Sequence, residues 1–490
     1  MKETERMKSM TNSPKHGEQR SDLHLSRVPA LVAPPSVLSR RRLAGMLGAL
    51  CAAATGLPAL AACQRTTGPG GERVPTPGRV IELVVHGQGA ADPPGGGYDK
   101  TVEQFNERFA GKYRATHVIF TDNLYTAQEA AMAAGTIGDL HYAHTSNLKF
   151  QEYAVKGAAV ALDPFIAKDK EFKLGDWPPR AQDVMKVVDN KVYGLPVRGQ
   201  VSWLFMYYNK DMLQKAGVPA PSPDWTIDDM IQYARRLQQP DSDFFPIWTP
   251  WGGFEATVAH LRRFGAEFFD PPNGPGRRCL LDSPAALEAF RWFHQHYQSS
   301  IFAPRTYGWS QFGQGKIAMV FGHLAGQRAQ ARNAVGNNFA WTFTVVPKGK
   351  GGRRGGFLSI DMQQMNSQSR NQDAAWELLK WVTGRQAGIN LGLQEAGSLT
   401  PGFRKDVYCS PELLNDPRFP RDAMQANCDN IDQPEGYTYP HNFRLVQPGA
   451  ITEVLNRYVL AFAEQKDEPS PATLKQLTQE IQTILDLPRL

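Results

Sequence analysis

From Val80 onward the chain alternates short apolar runs with amphipathic segments, and this order restricts its fold more than any other feature. Val80 to Val85 reads VIELVV, the length of a buried strand. In YDKTVEQFNERFAGKY, Val102, Phe105 and Phe109 fall at helical spacing. THVIF, from Thr116 to Phe120, reads as a second strand, and Leu124 to Gly135 as a second helix stopped by its glycine. Strand, helix, strand, helix at this spacing predicts an α/β sheet with helices packed on its faces. With 490 residues, two or three domains are expected.

Further helices follow. Thr226 caps Ile227 to Gln238, with Asp229 three residues on. Ser283 and Pro284 open a helix to Tyr297, and Ser470 and Pro471 open one to Leu485. Asp373 to Thr383 and Ile451 to Glu464 complete the set. Their apolar stripes read as core.

The N-terminus is of another kind. A polar leader ends in Ser39-Arg40-Arg41-Arg42-Leu43, an Ala/Gly/Leu-rich stretch runs to Ala62, and Leu60-Ala61-Ala62-Cys63 closes it. A charged segment, an apolar segment and small residues before a cut describe an export signal. The adjacent arginines resemble a twin-arginine signal, and Leu-Ala-Ala-Cys resembles the lipobox at which a cysteine is acylated. The leader is long enough that a start at Met7 or Met10 leaves this signal intact. The alternative is an uncleaved membrane anchor, since 20 weakly apolar residues just span a bilayer. Residues 1–62 are thus expected to be the signal, and 63–79 the lipidated Cys63 with a Gly/Pro/Thr-rich tether.

Charge excludes one class of partner. The net charge of +6 is concentrated in the signal: residues 1–62 carry nine Lys/Arg and four Asp/Glu. The remainder carries 45 basic and 44 acidic residues and offers no electrostatic footprint for nucleic acid. Cys279, Cys409 and Cys428 remain in the exported body, where a disulfide between the near pair Cys409 and Cys428 is expected. No Cys/His cluster has metal spacing, so no metal or other cofactor is expected. G-x-S-x-G, H-E-x-x-H and phosphate-loop motifs are absent, so the sequence offers no enzyme signature.

Several segments match a known family in order. Tyr193-Gly194-Leu195-Pro196 precedes Tyr207-Tyr208-Asn209-Lys210-Asp211-Met212, Ala216-Gly217-Val218-Pro219 and Trp225-Thr226-Ile227-Asp228-Asp229. FGQGKIAMVFGH (312–323), VVPKGKGGRRGGFLSI (345–360) and SRNQDAAWELLKWVTG (369–384) follow. This run resembles the family 1 extracellular solute-binding proteins of the maltose-binding-protein type, from about residue 80 to the end. The resemblance implies a periplasmic-binding-protein-like α/β fold. In it two α/β lobes are joined by a multi-crossing hinge, with a ligand cleft between them. The first lobe is expected to take residues 80–200 and 351–433, the second 201–350 and 434–490. Crossings are expected near Pro196 to Leu204, near Pro347 to Phe357 where Lys348-Gly349-Lys350-Gly351-Gly352 suits a flexible hinge, and near Gln433 to Pro440. The implied function is capture of a sugar or oligosaccharide and delivery to the permease of an ABC importer, by a monomer held to the membrane by its lipid and without catalysis. Alternatives are a carbohydrate-active enzyme, or a binder of a polyol, peptide or polyamine.

Sugars need flat aromatics for their CH faces and amides, carboxylates or Arg for their hydroxyls. Gln88, after the first strand, either bonds a hydroxyl or belongs to a plain glycine turn. Asp122, Asn123 and Tyr125 follow the second strand; the first two suit helix caps, and Tyr125 suits stacking. Gly135-Thr136-Ile137-Gly138-Asp139-Leu140 corresponds to a family segment in which Gly138 replaces the usual Pro, and it brings Asp139, His141 and Tyr142. Arg198 either reaches ligand or braces the hinge. Trp251 is the leading stacking candidate, with core packing as the alternative, and Gly253 and Phe254 adjoin it. His323, Gly356, Phe357, Tyr439 and Phe443 complete the set, at positions where relatives place contact residues. Acylation at Cys63 predicts that Cys63→Ser releases the protein from membranes in fractionated cells. Unchanged retention would assign the segment to an uncleaved anchor.

Overall fold

The computed structural model describes residues 79–487 apart from 121–122, 146–147, 240–241, 250–252, 271–276, 323–326, 433–447 and 464–466. The signal and Cys63 therefore lie outside the described residues. Among those described, no helix is long and apolar enough to cross a membrane.

Among the described residues eleven strands form three sheets. They are β1 (Ile81–Gly87), β2 (Tyr113–Ile119), β3 (Leu140–His144), β4 (Leu195–Ser202), β5 (Phe205–Asn209), β6 (Phe245–Trp248), β7 (Phe269–Asp270), β8 (Arg278–Cys279), β9 (Ile317–Gly322), β10 (Trp341–Val345) and β11 (Phe357–Met365). The first sheet has the order β2-β1-β3-β11-β4 and the second β10-β5-β9-β6, while β7 and β8 form a ribbon. In the first sheet β1 runs parallel to β2 and β3, and β11 runs antiparallel to β3 and β4. The expected strand and helix order is present: the helices Gly97–Arg108 and Leu124–Ala133 follow β1 and β2.

Sequence chemistry accounts for the helix ends. Thr226 and Asp229 form a reciprocal capping box, with Asp229 N donating to Thr226 Oγ1 at 3.2 Å and Thr226 N to Asp229 Oδ2 at 2.8 Å. Ser283 and Ser470 cap the helices Pro284–Gln298 and Pro471–Leu485 through backbone N–H groups of Ala286 and Thr473. Asn123 departs from expectation. It precedes its helix in the left-handed conformation, φ 46°, and its side chain caps nothing.

Each sheet carries its own aromatic and aliphatic packing. Leu83, Val85, Phe105, Phe150 and Leu195 are buried with the first, and Tyr207, Ile247, Phe293, Phe312 and Phe321 with the second. Each fully buried large side chain contributes roughly 1.5–3 kcal/mol. Cys409 and Cys428 form a disulfide, Cα–Cα 4.8 Å, which joins the end of the helix Lys405–Tyr408 to the helix Arg421–Asp429.

The chain passes between the sheets twice within the described residues. Trp203 and Leu204 carry it from β4 to β5, with Trp203 at φ 62°. Residues 346–356 carry it back from β10 to β11. Two glycines of the second passage serve close packing, whereas Gly351 and Gly352 have open space around them. A Cβ on Gly349 would sit 1.8 Å from the Arg263 carbonyl oxygen, and one on Gly355 would sit 2.0 Å from that of Ala259. Both glycines let the passage lie directly on the helix Gly253–Arg263. The turn is also closed by Gly349 N donating to the Arg353 carbonyl at 2.7 Å. Gly349→Ala is therefore expected to lower stability by about 1–3 kcal/mol. Gly351→Ala, whose Cβ would meet nothing closer than 3.9 Å, should stay within about 0.5 kcal/mol of the parent in urea unfolding. Equal stability of the two variants would contradict this packing.

Candidate functional site

The C-terminal ends of β1, β2 and β3 lie at one edge of the first sheet, where ligands of open α/β sheets bind. At Gly87 the backbone passes so close to His117 that a Cβ would sit 2.3 Å from its Nε2. The next residues turn tightly, Gly89–Ala91. The turn delivers Asp92, whose Oδ2 accepts from Gln88 N at 2.7 Å. Gln88 is left half-buried above it.

Beneath this turn is a buried ion cluster. Arg198 on β4 donates from Nη1 and Nη2 to the two oxygens of Asp92 at 2.6 and 2.8 Å, and from Nε to Asp361 Oδ2 at 2.5 Å. Arg198 and Asp361 face each other in the β4–β11 register. Burial alone would lower the guanidinium pKa, but Asp92 and Asp361 outweigh it and hold that pKa well above the ordinary arginine value. Removing one partner of such a set costs about 3–5 kcal/mol. Asp361 Oδ1 accepts from the Tyr142 hydroxyl at 2.9 Å and lies 3.3 Å from His144 Nε2, which is also 3.1 Å from Ser359 Oγ. Burial and then Asp361 raise the Tyr142 pKa far above its usual value, so the phenol remains a donor. The Tyr125 ring stacks at 6.2 Å on Tyr142. The edge thus leaves Gln88, Tyr125 and His144 half-buried, with Ser359, one guanidinium and two carboxylates buried beneath them. Such a surface suits neutral groups that donate hydrogen bonds, such as hydroxyls.

On the second sheet, β6 ends at Trp248 and Thr249. Thr249 Oγ1 lies 3.2 Å from His260 Nε2, and Arg263 Nη1 lies 2.6 Å from His260 Nδ1. Arginine only donates, so Nδ1 accepts and Nε2 carries the proton toward Thr249. Burial, and then Arg263, keep His260 neutral. Arg263 further donates to the carbonyls of Trp203 at 2.9 Å and Arg354 at 2.7 Å, which fastens both passages to one side chain.

Arg198, Tyr142, Tyr125 and Gln88 are brought together with Asp92, His144, Ser359 and Asp361. The others lie apart. Asp139 accepts from Val84 N at 2.9 Å and Ser369 Oγ at 2.6 Å, so both its oxygens tie β1 to the turn after β11. His141 is fully buried, its ring 5.6 Å from Tyr153. Phe357 is fully buried and Phe254 packs against it, against Phe268 and against Phe269. Gly356 is a backbone position at φ 122° beside that contact, and Gly253 begins the helix under the second passage. Trp251, His323, Tyr439 and Phe443 lie outside the described residues, as do Asp122 and the expected third crossing. Sequence reasoning missed Asp92, His144, Ser359 and Asp361. The signal was a charged residue inside an otherwise apolar strand, FLSIDM, because such a charge needs a buried partner. Among the described residues no three His, Cys, Asp or Glu side chains are placed to hold a metal.

Comparison with known proteins agrees with this architecture. A family model described as "Bacterial extracellular solute-binding protein" matches residues 97–389. A binding protein of Brucella abortus is 25% identical over 260 residues, 51% of this chain and 59% of that protein. The maltotriose-binding protein of Pyrococcus abyssi is 23% identical over 299 residues, 60% of this chain and 61% of that protein. The chain thus spans about three fifths of the length of these relatives. The solved structure of the sugar-binding protein MalE from Xanthomonas citri superposes with a TM-score of 0.68 at 18% identity, covering 83% of this chain and 97% of that one.

The histidines give a test of the described interior. Burial, then His117, lowers the His86 pKa to about 4, and burial, then His86, lowers that of His141 to about 3. Their unfolded value is near 6.5. A lowered histidine stabilises the fold fully above the unfolded pKa and loses that contribution as pH falls toward the folded one. Between pH 6 and 5, unfolding free energy is expected to fall, and His141→Leu should reduce that slope by about 1.4 kcal/mol per pH unit. An unchanged slope would contradict burial of a neutral His141.

Proposed function

Because the chain belongs to the bacterial extracellular solute-binding protein family, we propose that it captures a small carbohydrate, a sugar or oligosaccharide, and hands it unchanged to the permease of an ABC importer. Cys63 carries the lipid that holds the monomer at the membrane, after export through a twin-arginine signal. The first lobe comprises 80–200 and 351–433, the second 201–350 and 434–490. Ligand sits between them and draws them together.

The observation that carries the carbohydrate reading is the polar edge of the first sheet. Half-buried Gln88 and His144 would offer an amide and an imidazole to a polyhydroxylated ligand, His144 backed by the buried Ser359 hydroxyl, and Tyr125 an aromatic face. Trp251, two residues beyond Thr249 in the sequence, is the stacking residue of this proposal. A catalytic reading finds less support. Asp361 and Asp92 are both engaged by Arg198, so neither is an available acid or nucleophile.

Binding to the folded form alone raises the melting temperature. Against a panel of mono-, di- and oligosaccharides, polyols, peptides and polyamines, at least one carbohydrate is expected to raise the melting temperature of the mature protein and to be recovered intact. Trp251→Ala should weaken that ligand about 10–100-fold with the apo melting temperature little changed. A shift confined to peptides or polyamines would overturn the carbohydrate assignment, and turnover of the sugar would overturn the binding function.

A further inference from the structure

Arg328 begins the helix Arg328–Val335, which packs on the helix Trp309–Gly313 beside β9 of the second sheet. Its side chain is fully buried, yet its hydrogen bonds go to two carbonyls and a thioether and to no carboxylate. Nη2 donates to the carbonyls of Gly392 at 3.1 Å and Leu399 at 2.8 Å, Nη1 lies 3.2 Å from Met424 Sδ, and the guanidinium lies 4.6 Å from the centre of the Phe419 ring. Gly392 is in the last turn of the helix Arg385–Leu393, which packs on β4 and on the helix Gly97–Arg108 of the first sheet. A cation from the second-sheet side therefore finishes a helix of the first-sheet side. It meets one orphan carbonyl, that of Gly392, at the negative end of that helix, and the Leu399 carbonyl beyond it. Burial lowers the Arg328 pKa, but not to where a guanidinium would give up its proton near neutral pH.

The turn that Arg328 holds continues to the ligand edge. Gln394 Oε1 accepts from Gly97 N at 3.0 Å, and Gln394 Nε2 donates to the Ala91 carbonyl at 3.1 Å. Ser398 N donates to the same carbonyl at 3.2 Å. Gly397, at φ 80°, is so close that a Cβ would sit 2.7 Å from that oxygen. Ala91 precedes Asp92, which grips Arg198, and Gln88 opens the same turn. An unbroken set of contacts thus runs from Arg328 through residues 392–399 to residues 88–92.

We propose that Arg328 is a positioning residue, a latch that holds the Gln88–Asp92 turn in its binding geometry from the second-sheet side. The affinity of the site then depends on a side chain that touches no ligand. The link to affinity rests on the reading of Gln88 as a ligand contact, whereas the latch itself is tested without ligand.

The experiment is hydrogen exchange on the mature apo protein. With Arg328→Gln, amides in 88–97 are expected to exchange roughly tenfold faster or more, while those of β5 and β9 keep their rates. Arg328→Lys, which keeps the charge but loses the planar fork, should fall between. Unchanged exchange in 88–97, or an equal rise along the whole chain, would overturn the latch. If Arg328→Gln does not fold, Arg328→Lys is combined with Gln394→Met. A latch predicts that their effects on exchange in 88–97 are not additive, and additivity overturns it. With maltotriose as the probe, Arg328→Gln should dissociate faster than the parent. Failure of the parent to bind any carbohydrate would sink the proposed ligand class while leaving the exchange result to decide on the latch.

Discussion

A guanidinium buried between two carboxylates organises the first sheet and everything placed on its edge. Arg198 is reached from β1 through Asp92 and from β11 through Asp361, so one side chain joins strands far apart in sequence. The set is costly to desolvate, and its geometry offsets that cost with three hydrogen bonds. Having fixed Asp361, it fixes what Asp361 accepts: the Tyr142 hydroxyl and His144. Having fixed Asp92, it fixes the turn that presents Gln88. Polar groups that face a ligand must be held before it arrives, because ordering them afterwards is subtracted from affinity.

A second arginine does comparable work at the passages between the sheets. Arg263 takes carbonyls from both Trp203 and Arg354, and it orients His260 toward Thr249. The passages are thus well packed at this point, and Gly349 and Gly355 serve that packing. The proposed closure would then be absorbed by few residues. One small cavity lies beside the first passage, between Gln200, Phe205, Phe403, Tyr408 and Asn427, where elements of both sheets meet.

Local signals in the sequence reported local structure well. The Thr226–Asp229 box, the Ser-Pro helix starts and the apolar strands are written in adjacent residues, and each appears where it was expected. The site was legible only in part, because its chemistry is non-local. Arg198 was visible as a candidate, but its partners lie 106 and 163 residues away. Asp139 and His141 are candidates only through the Gly135–Leu140 segment and its resemblance, yet the first is consumed by Val84 and Ser369 and the second sits in the core. Spacing alone does not say which face of a short strand is buried. The Lys348–Gly352 stretch was ambiguous for a related reason: glycine permits both looseness and close approach, and only the neighbouring helix shows that Gly349 serves the second.

The account makes one demand above the rest, that a solute draws two lobes together and leaves as it came. Small-angle X-ray scattering on the mature protein, alone and saturated with a carbohydrate that binds it, measures this directly. The radius of gyration should fall on binding, and the sugar recovered after long incubation should be unaltered. A radius of gyration that stays the same at full occupancy, or the appearance of cleaved sugar, would contradict it.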